Sequence, residues 1–269
     1  MPKESKTRAP NRYAAIIERV FDDHYKKGAK EFAFTKTEFE EVAKELGIKL
    51  PKNTPDIIYS FRYRNEFPER ILNTPADNYE WVIKGTGKGM YKFRQVKLSR
   101  IIPRDDLLPI KIPDATPEII AYNAFGDEQA LLAKVRYNRL IDIFLGITTY
   151  SLQNHLRSTV EGTQIEIDEL YVGIDRSGRQ FIIPVQAKRG SDKLGSVQTE
   201  QDIDWCKKSL PNLICRPVSV QFMDDKRIAM FELVISDEQL MVVGEKHYQL
   251  VMASEITPED IANYSLRND

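Results

Sequence analysis

Cysteine is scarce in this 269-residue chain: Cys206 and Cys215 are the whole complement. Two thiols at that spacing make neither a disulfide framework nor a metal-ligand pattern, so free thiols in a reducing cytoplasm are expected. Histidine is nearly as sparse, and His24, His155 and His247 are far apart in sequence. A zinc site or a histidine-centred triad is hard to build from them. No apolar run approaches the ~20 residues that cross a bilayer, which excludes a helical membrane span and a membrane partner. The opening MPKESKTRAP is basic but lacks the apolar segment of a secretory signal, so it reads as a short mobile arm on a cytoplasmic protein. There is no internal repeat and no low-complexity tract.

Charge of both signs is plentiful, and its distribution is uneven. Residues 1–100 hold 21 Lys and Arg against 14 Asp and Glu, a balance of +7, while the remaining 169 hold 18 against 26, a balance of −8. A basic front on an acidic back suggests a nucleic-acid-facing module joined to something else. The length suits two domains better than one.

In the front half, RYAAIIERVFDDHYKK (12–27) has apolar residues at helical spacing and stops at Gly28. EFAF (31–34) is a short strand. Thr35 or Thr37 can cap the following helix; Glu40, three residues after Thr37, completes a capping-box pattern, and Gly47 ends the helix. Thr54 and Pro55 open a third helix, IIYSFRYR. YEWVIKG and MYKFRQVKL then alternate around a glycine-rich tip, as a hairpin does. This order resembles a winged helix-turn-helix domain. The resemblance implies that the third helix enters the major groove with Tyr59, Arg62, Tyr63 and Arg64, while Lys84, Lys88, Lys92 and Arg94 grip phosphates. The alternatives are a protein dock or a helical domain with a solvated basic hairpin.

Residues 101–117 are rich in proline without helical period and read as a linker, dividing a 1–100 domain from a 118–269 domain. The back domain opens with one long helix in FGDEQALLAKVRYNRLIDIFLGI, with Asp127 as N-cap and Gly146 as its end. Strands follow at 148–160, 164–174 and 179–188, then a helix at 196–210, strands in NLICRPVSVQFM and RIAMFELVIS, and a last helix capped by Thr257. The fold class is α/β, a central mixed sheet flanked by helices and preceded by the small winged domain.

The hairpin QIEIDELYVGIDRSGRQFIIPVQAK (164–188) carries polar residues in sheet-forming company. Its turn, Asp175-Arg-Ser-Gly178, has the chemistry of a three-residue loop with a left-handed glycine. That loop pairs Asp175 with Arg179, sets Asp168 opposite Gln186 and Glu166 opposite Lys188, and gathers all four on one face. Ile165, Ile167, Phe181, Ile183, Val185 and Ala187 then form the core face. Leu170, Val172, Ile182 and Pro184 continue the polar face in apolar residues, which points to a cleft rather than a wetted surface. Asp168 and the Ala187 carbonyl suit a hard cation, with Gln186 supplying an amide oxygen where a second carboxylate could stand. Lys188 can hold a water or offset charge on a phosphate.

Asp168 followed by Gln186-Ala187-Lys188 resembles the PD-(D/E)XK nuclease superfamily, in the Mrr-like branch where Gln replaces the second acid. Ile167, rather than proline, precedes Asp168. The resemblance covers about 120–265 and implies a restriction-endonuclease-like fold and a Mg²⁺-dependent DNA endonuclease, with Mn²⁺ as a possible substitute. It further implies double-stranded DNA as partner, a type II-like restriction activity and a homodimer. Glu166 competes with Asp168 for the acidic role; Asp168 is preferred, with Glu166 auxiliary. Glu128 resembles the family's helix-borne acid, although an acid also suits a helix's first turn. Gln198 and Gln201 are candidates for DNA backbone or for water near the metal, and Arg189 and Lys193 for phosphate, with a solvated face as the alternative, and Trp205 reads as core. The rival functions are a repair or junction-resolving nuclease of the same fold and a non-catalytic DNA-binding regulator.

Overall fold

The computed structural model describes residues 13–63, 65–97, 100–123, 128–160, 162–190, 192, 194–237 and 239–265. The basic N-terminal arm and the expected cap Asp127 lie outside the described residues. The chain forms two compact units, Met1–Ser99 with Glu161–Thr163, and Arg100–Val160 with Gln164–Asp269.

The first unit runs α1 (Ala14–His24), β1 (Glu31–Thr35), α2 (Lys36–Glu45), α3 (Pro55–Tyr63), α4 (Glu69–Leu72), β2 (Glu80–Gly87) and β3 (Met90–Val96). Its three strands pair antiparallel in the order β1-β3-β2. α1 ends a turn before Gly28, and the short α4 is an addition to the expected plan. Thr35, not Thr37, caps α2. Its hydroxyl accepts from the Glu38 N–H at 3.2 Å, and the Glu38 carboxylate accepts from the Thr35 N–H at 3.3 Å. Glu40, the acid expected to complete a box with Thr37, instead accepts from the Thr54 hydroxyl at 3.1 Å. One sheet face packs Trp81, Ile83 and Phe93 against Phe21, Ile58 and Phe39.

The second unit begins with β4 (Arg100–Ile101) and β5 (Ile110–Pro113), then α5 (Glu118–Asn123), α6 (Glu128–Tyr137), α7 (Leu140–Leu145) and β6 (Thr148–Val160). It continues with β7 (Thr163–Ile174), β8 (Gln180–Arg189), β9 (Leu194–Gly195), α8 (Ser196–Ser209) and β10 (Ile214–Cys215). β11 (Val218–Phe222), β12 (Arg227–Ser236), β13 (Gln239–Val251) and α9 (Pro258–Ser265) close it. The large sheet has the order β5-β13-β12-β11-β8-β7-β6, with β10 also pairing β8. It is mixed: β11 and β10 run parallel to β8, while β7 runs antiparallel to it. Among the described residues no helix is long and apolar enough to cross a membrane.

Three features depart from the expected plan. The proline-rich stretch contains β5, which pairs parallel to β13 as the sheet's edge. The long helix is two helices. Asn138 is buried and ties the break to the strand-following loop: its Oδ1 accepts from the Ala115 N–H at 2.7 Å, and its amide donates to Asp114 and Thr116. Arg139 follows with φ +50°, a left-handed conformation that a helix interior does not contain. β13 has no alternation to mark it in the sequence, because its middle, Met241, Val242 and Val243, is exposed. The expected cap of α9 is present: the Thr257 hydroxyl accepts from the Asp260 N–H at 3.1 Å. Asp260 itself accepts from the Thr257 N–H and from Lys111, and these bonds pull its carboxyl down to about 2.

Both faces of the sheet are covered, which is why β8 is buried along nearly its whole length rather than alternately. On one face α6 and α7 bring Leu132, Val135, Leu140 and Ile141 against Tyr171, Ile183, Val185 and Val220. On the other, Cys206 and Trp205 of α8 pack with Leu170 and Ile182.

Candidate active site at the β7–β8 fork

The turn has the expected geometry. The Asp175 N–H donates to the Arg179 carbonyl at 3.1 Å, the Gly178 N–H donates to the Asp175 carbonyl at 3.0 Å, and Gly178 has φ +78°. Asp175 holds the loop with its side chain, accepting from the N–H groups of Ser177 and Arg179, each at 2.9 Å. The strands pair Ile174 with Gln180, Val172 with Ile182 and Glu169 with Val185, in the register the three-residue loop dictates.

The ladder stops at the Glu169–Val185 pair, just before the polar residues. β8 stays paired with β11 through Arg189, so β7 and β8 diverge into a fork. Side chains replace the missing ladder bonds. The Ala187 N–H donates to Asp168 Oδ2 at 2.8 Å, and Gln186 Nε2 donates to the Glu166 carbonyl at 2.8 Å. The faces also change here. Ile165 and Ile167, expected beside Phe181, Ile183, Val185 and Ala187, belong instead to the α8-side core with Leu170 and Ile182. Ile167 and Leu170 can share a face only where strand alternation breaks between them.

Asp168 is buried, and that burial raises its carboxyl above the ordinary range, opposed by the Lys188 charge and the Ala187 N–H. The carboxylates of Glu128 and Glu166 push it further up. Lys188 Nζ donates to both Glu128 oxygens, at 3.2 and 3.4 Å, and to the Ala187 carbonyl at 2.9 Å. Asp168, Glu128, Ala187 and Lys188 therefore form one electrostatic cluster, with the helix-borne acid delivered by the first turn of α6. Glu166 faces elsewhere: its carboxylate pairs with His155 at 3.0 Å and with Arg157 at 3.5 Å on β6.

Gln186 is engaged at both ends of its amide. Its Oε1 accepts from Gln198 Nε2 at 2.6 Å, and its Nε2 also donates to Asp202 Oδ2 at 2.7 Å. All its hydrogen-bonding capacity on the donor side is used, so it fastens β8 to β7 and α8. Asp202, fully enclosed and pushed well above the carboxylate range by desolvation, was not identified from sequence. Its spacing of four from Gln198, one helical turn, is the signal that could have found it. Trp205 is core, with its indole N–H on Ser158 Oγ at 3.0 Å. Gln201 is buried rather than presented to solvent.

The donors at the fork suit a hard divalent cation. They are two carboxylates and a carbonyl, all oxygen, and Mg²⁺ is commonly held by one or two carboxylates with water and phosphate completing its shell. Among the described residues no group of three or more His, Cys, Asp or Glu is arranged to hold a metal.

In the first unit, Lys84 lies opposite Lys92, and Arg94 follows two residues on in β3. The three share the sheet face opposite the aromatic core, where Lys92 pairs with Glu31 at 2.8 Å. Tyr59 of α3 and Lys88 at the hairpin tip are exposed. The side chains of Arg62 and Tyr63, and all of Arg64 and Lys193, lie outside the described residues; Arg189 is exposed at the end of β8. No protein-family model matches the chain, and comparisons with curated proteins and with solved structures likewise gave no match.

Proposed function

We propose that the chain is a Mg²⁺-dependent DNA endonuclease of PD-(D/E)XK type, in which the back unit cuts and a winged-helix front unit holds the DNA. The observation that carries this reading is the fork: the β7–β8 ladder ends where Asp168, Ala187 and Lys188 begin, and Glu128 of α6 meets them. Asp168, Glu128 and the Ala187 carbonyl would hold the cation, which when bound polarises the phosphate and acidifies an attacking water. Lys188 positions that water or offsets charge building on the phosphate oxygens. Gln186 keeps β8 in register with α8 and stays out of the metal shell. In the front unit, the Lys84, Lys92 and Arg94 face supports phosphate contact, which positions DNA without reading its sequence. Cutting both strands of a duplex takes two such sites, which favours a homodimer and a type II-like restriction activity.

The test is plasmid digestion with Mg²⁺, wild type beside Asp168→Ala and Lys188→Ala. Wild type nicks or linearises the plasmid, and each variant loses on the order of 10²-fold or more in rate, the scale of removing one transition-state contact. Equal cutting by all three removes the site assignment. A wild type that shifts DNA in a gel and never cuts it favours the regulator instead, and preference for branched over plain DNA favours the junction-resolving alternative.

A further inference from the structure

The only two cysteines in the chain are brought side by side. Eight residues, 207–214, separate them in sequence, and they sit on different elements, Cys206 in the third turn of α8 and Cys215 on β10. Cys215 is paired across to Ile182 of β8, and Ile182 and Cys206 belong to the same α8-side core, against which Cys215 packs. α8 and β10 pack directly on each other here, which brings the two cysteines into one neighbourhood. Cys206 is fully buried, while Cys215 is partly exposed.

We propose that Cys206 and Cys215 are a redox-active dithiol that closes to an intramolecular disulfide when the protein meets a small disulfide oxidant such as oxidised glutathione. The difference in exposure sets the order of events. Cys215, reachable from solvent, loses its proton to water and attacks one glutathione sulfur. The glutathione S–S bond breaks, one glutathione thiolate leaves, and a mixed disulfide remains on Cys215. Cys206, adjacent and shielded, then loses its proton and attacks Cys215 Sγ. The Cys206–Cys215 bond forms as the second glutathione thiolate departs, and both released thiolates take up protons. Two protein thiols are oxidised and one glutathione disulfide is reduced to two glutathiones. Cys206 is buried where Cys215 is not, and the neighbouring Cys215 side chain together with burial pushes the Cys206 thiol up, so Cys206 acts as the resolving partner and does not begin the exchange. Cys206 lies one turn beyond Asp202, the residue that fastens Gln186, so the new bond ties β10 to the helix that braces the fork.

The full-length protein is incubated with oxidised glutathione, denatured, alkylated with iodoacetamide and weighed intact without reductant, beside Cys206→Ser and Cys215→Ser. Wild type is expected to lose two hydrogens, take no alkyl group, and yield a Cys206–Cys215 cross-linked peptide on digestion. Cys206→Ser is expected to stop as a single glutathione adduct on Cys215, and Cys215→Ser to remain a free, alkylated thiol. Two alkylated cysteines in the wild type, a glutathione adduct there that never resolves, or a disulfide only between chains would each overturn the proposal. The readout is independent of nuclease activity.

Discussion

Asp168→Asn should make the protein more stable while removing the proposed nuclease activity. In the wild type the carboxyl is buried, and desolvation raises its pKa despite Lys188 and the Ala187 N–H. A raised acid binds its proton more tightly folded than unfolded. Below the unfolded pKa both states are protonated and the group is neutral in its effect. As pH rises past that value the unfolded chain ionises first, and the folded state loses ground until pH exceeds the folded pKa. Each tenfold difference in proton affinity is worth about 1.4 kcal/mol. Burial outweighs the two contacts that oppose it, so a net gain is expected at neutral pH, and each kcal/mol of it reads as about 2–4 °C in Tm for a unit of this size. Asparagine keeps the oxygen that accepts from the Ala187 N–H, so that bond survives. The assay is urea denaturation of both proteins across pH, without divalent cation. The gap should be widest at neutral pH and close as pH falls toward the ordinary carboxylate range. An asparagine variant less stable than wild type at pH 7, or a gain that does not vary with pH, would refute the account of Asp168. Added Mg²⁺ should then stabilise the wild type more than the variant.

Arg136→Met should destabilise strongly, because Glu169 is completely buried and its Oε1 depends on Arg136 at 2.7 Å and Ser151 Oγ at 2.7 Å. Leaving that carboxylate unpaired costs about 3–5 kcal/mol, and adding Glu169→Gln should recover much of the loss in denaturant midpoints. Gly178→Ala meets open space but must hold φ +78°, so it should cost about 1–2 kcal/mol from backbone strain alone, with an unchanged denaturant slope.

Local chemistry made much of the candidate site legible. Asp175 and Gly178 specify a loop through hydrogen bonds and a left-handed glycine within five residues, and strand pairing propagates that register outward as far as Glu169 and Val185. Thr54-Pro55 and Thr257 marked helix starts for the same reason, since a cap acts within one turn. What long-range packing decides was not legible. The helix break at Arg139 follows from Asn138 reaching residues 114–116, more than twenty positions away. The switch of Ile165 and Ile167 to the α8-side core follows from the fork, where β8 keeps β11 and gives up β7. Gln186 looked like a ligand because its residue type permits it, and only the arrival of Gln198 and Asp202 shows the amide to be engaged. The sequence by itself determined the β7–β8 turn, its register up to Glu169 and Val185, and the capped helix starts. Tertiary structure alone decided which partners the polar groups of the fork meet, because the partners are contributed by α6 and α8.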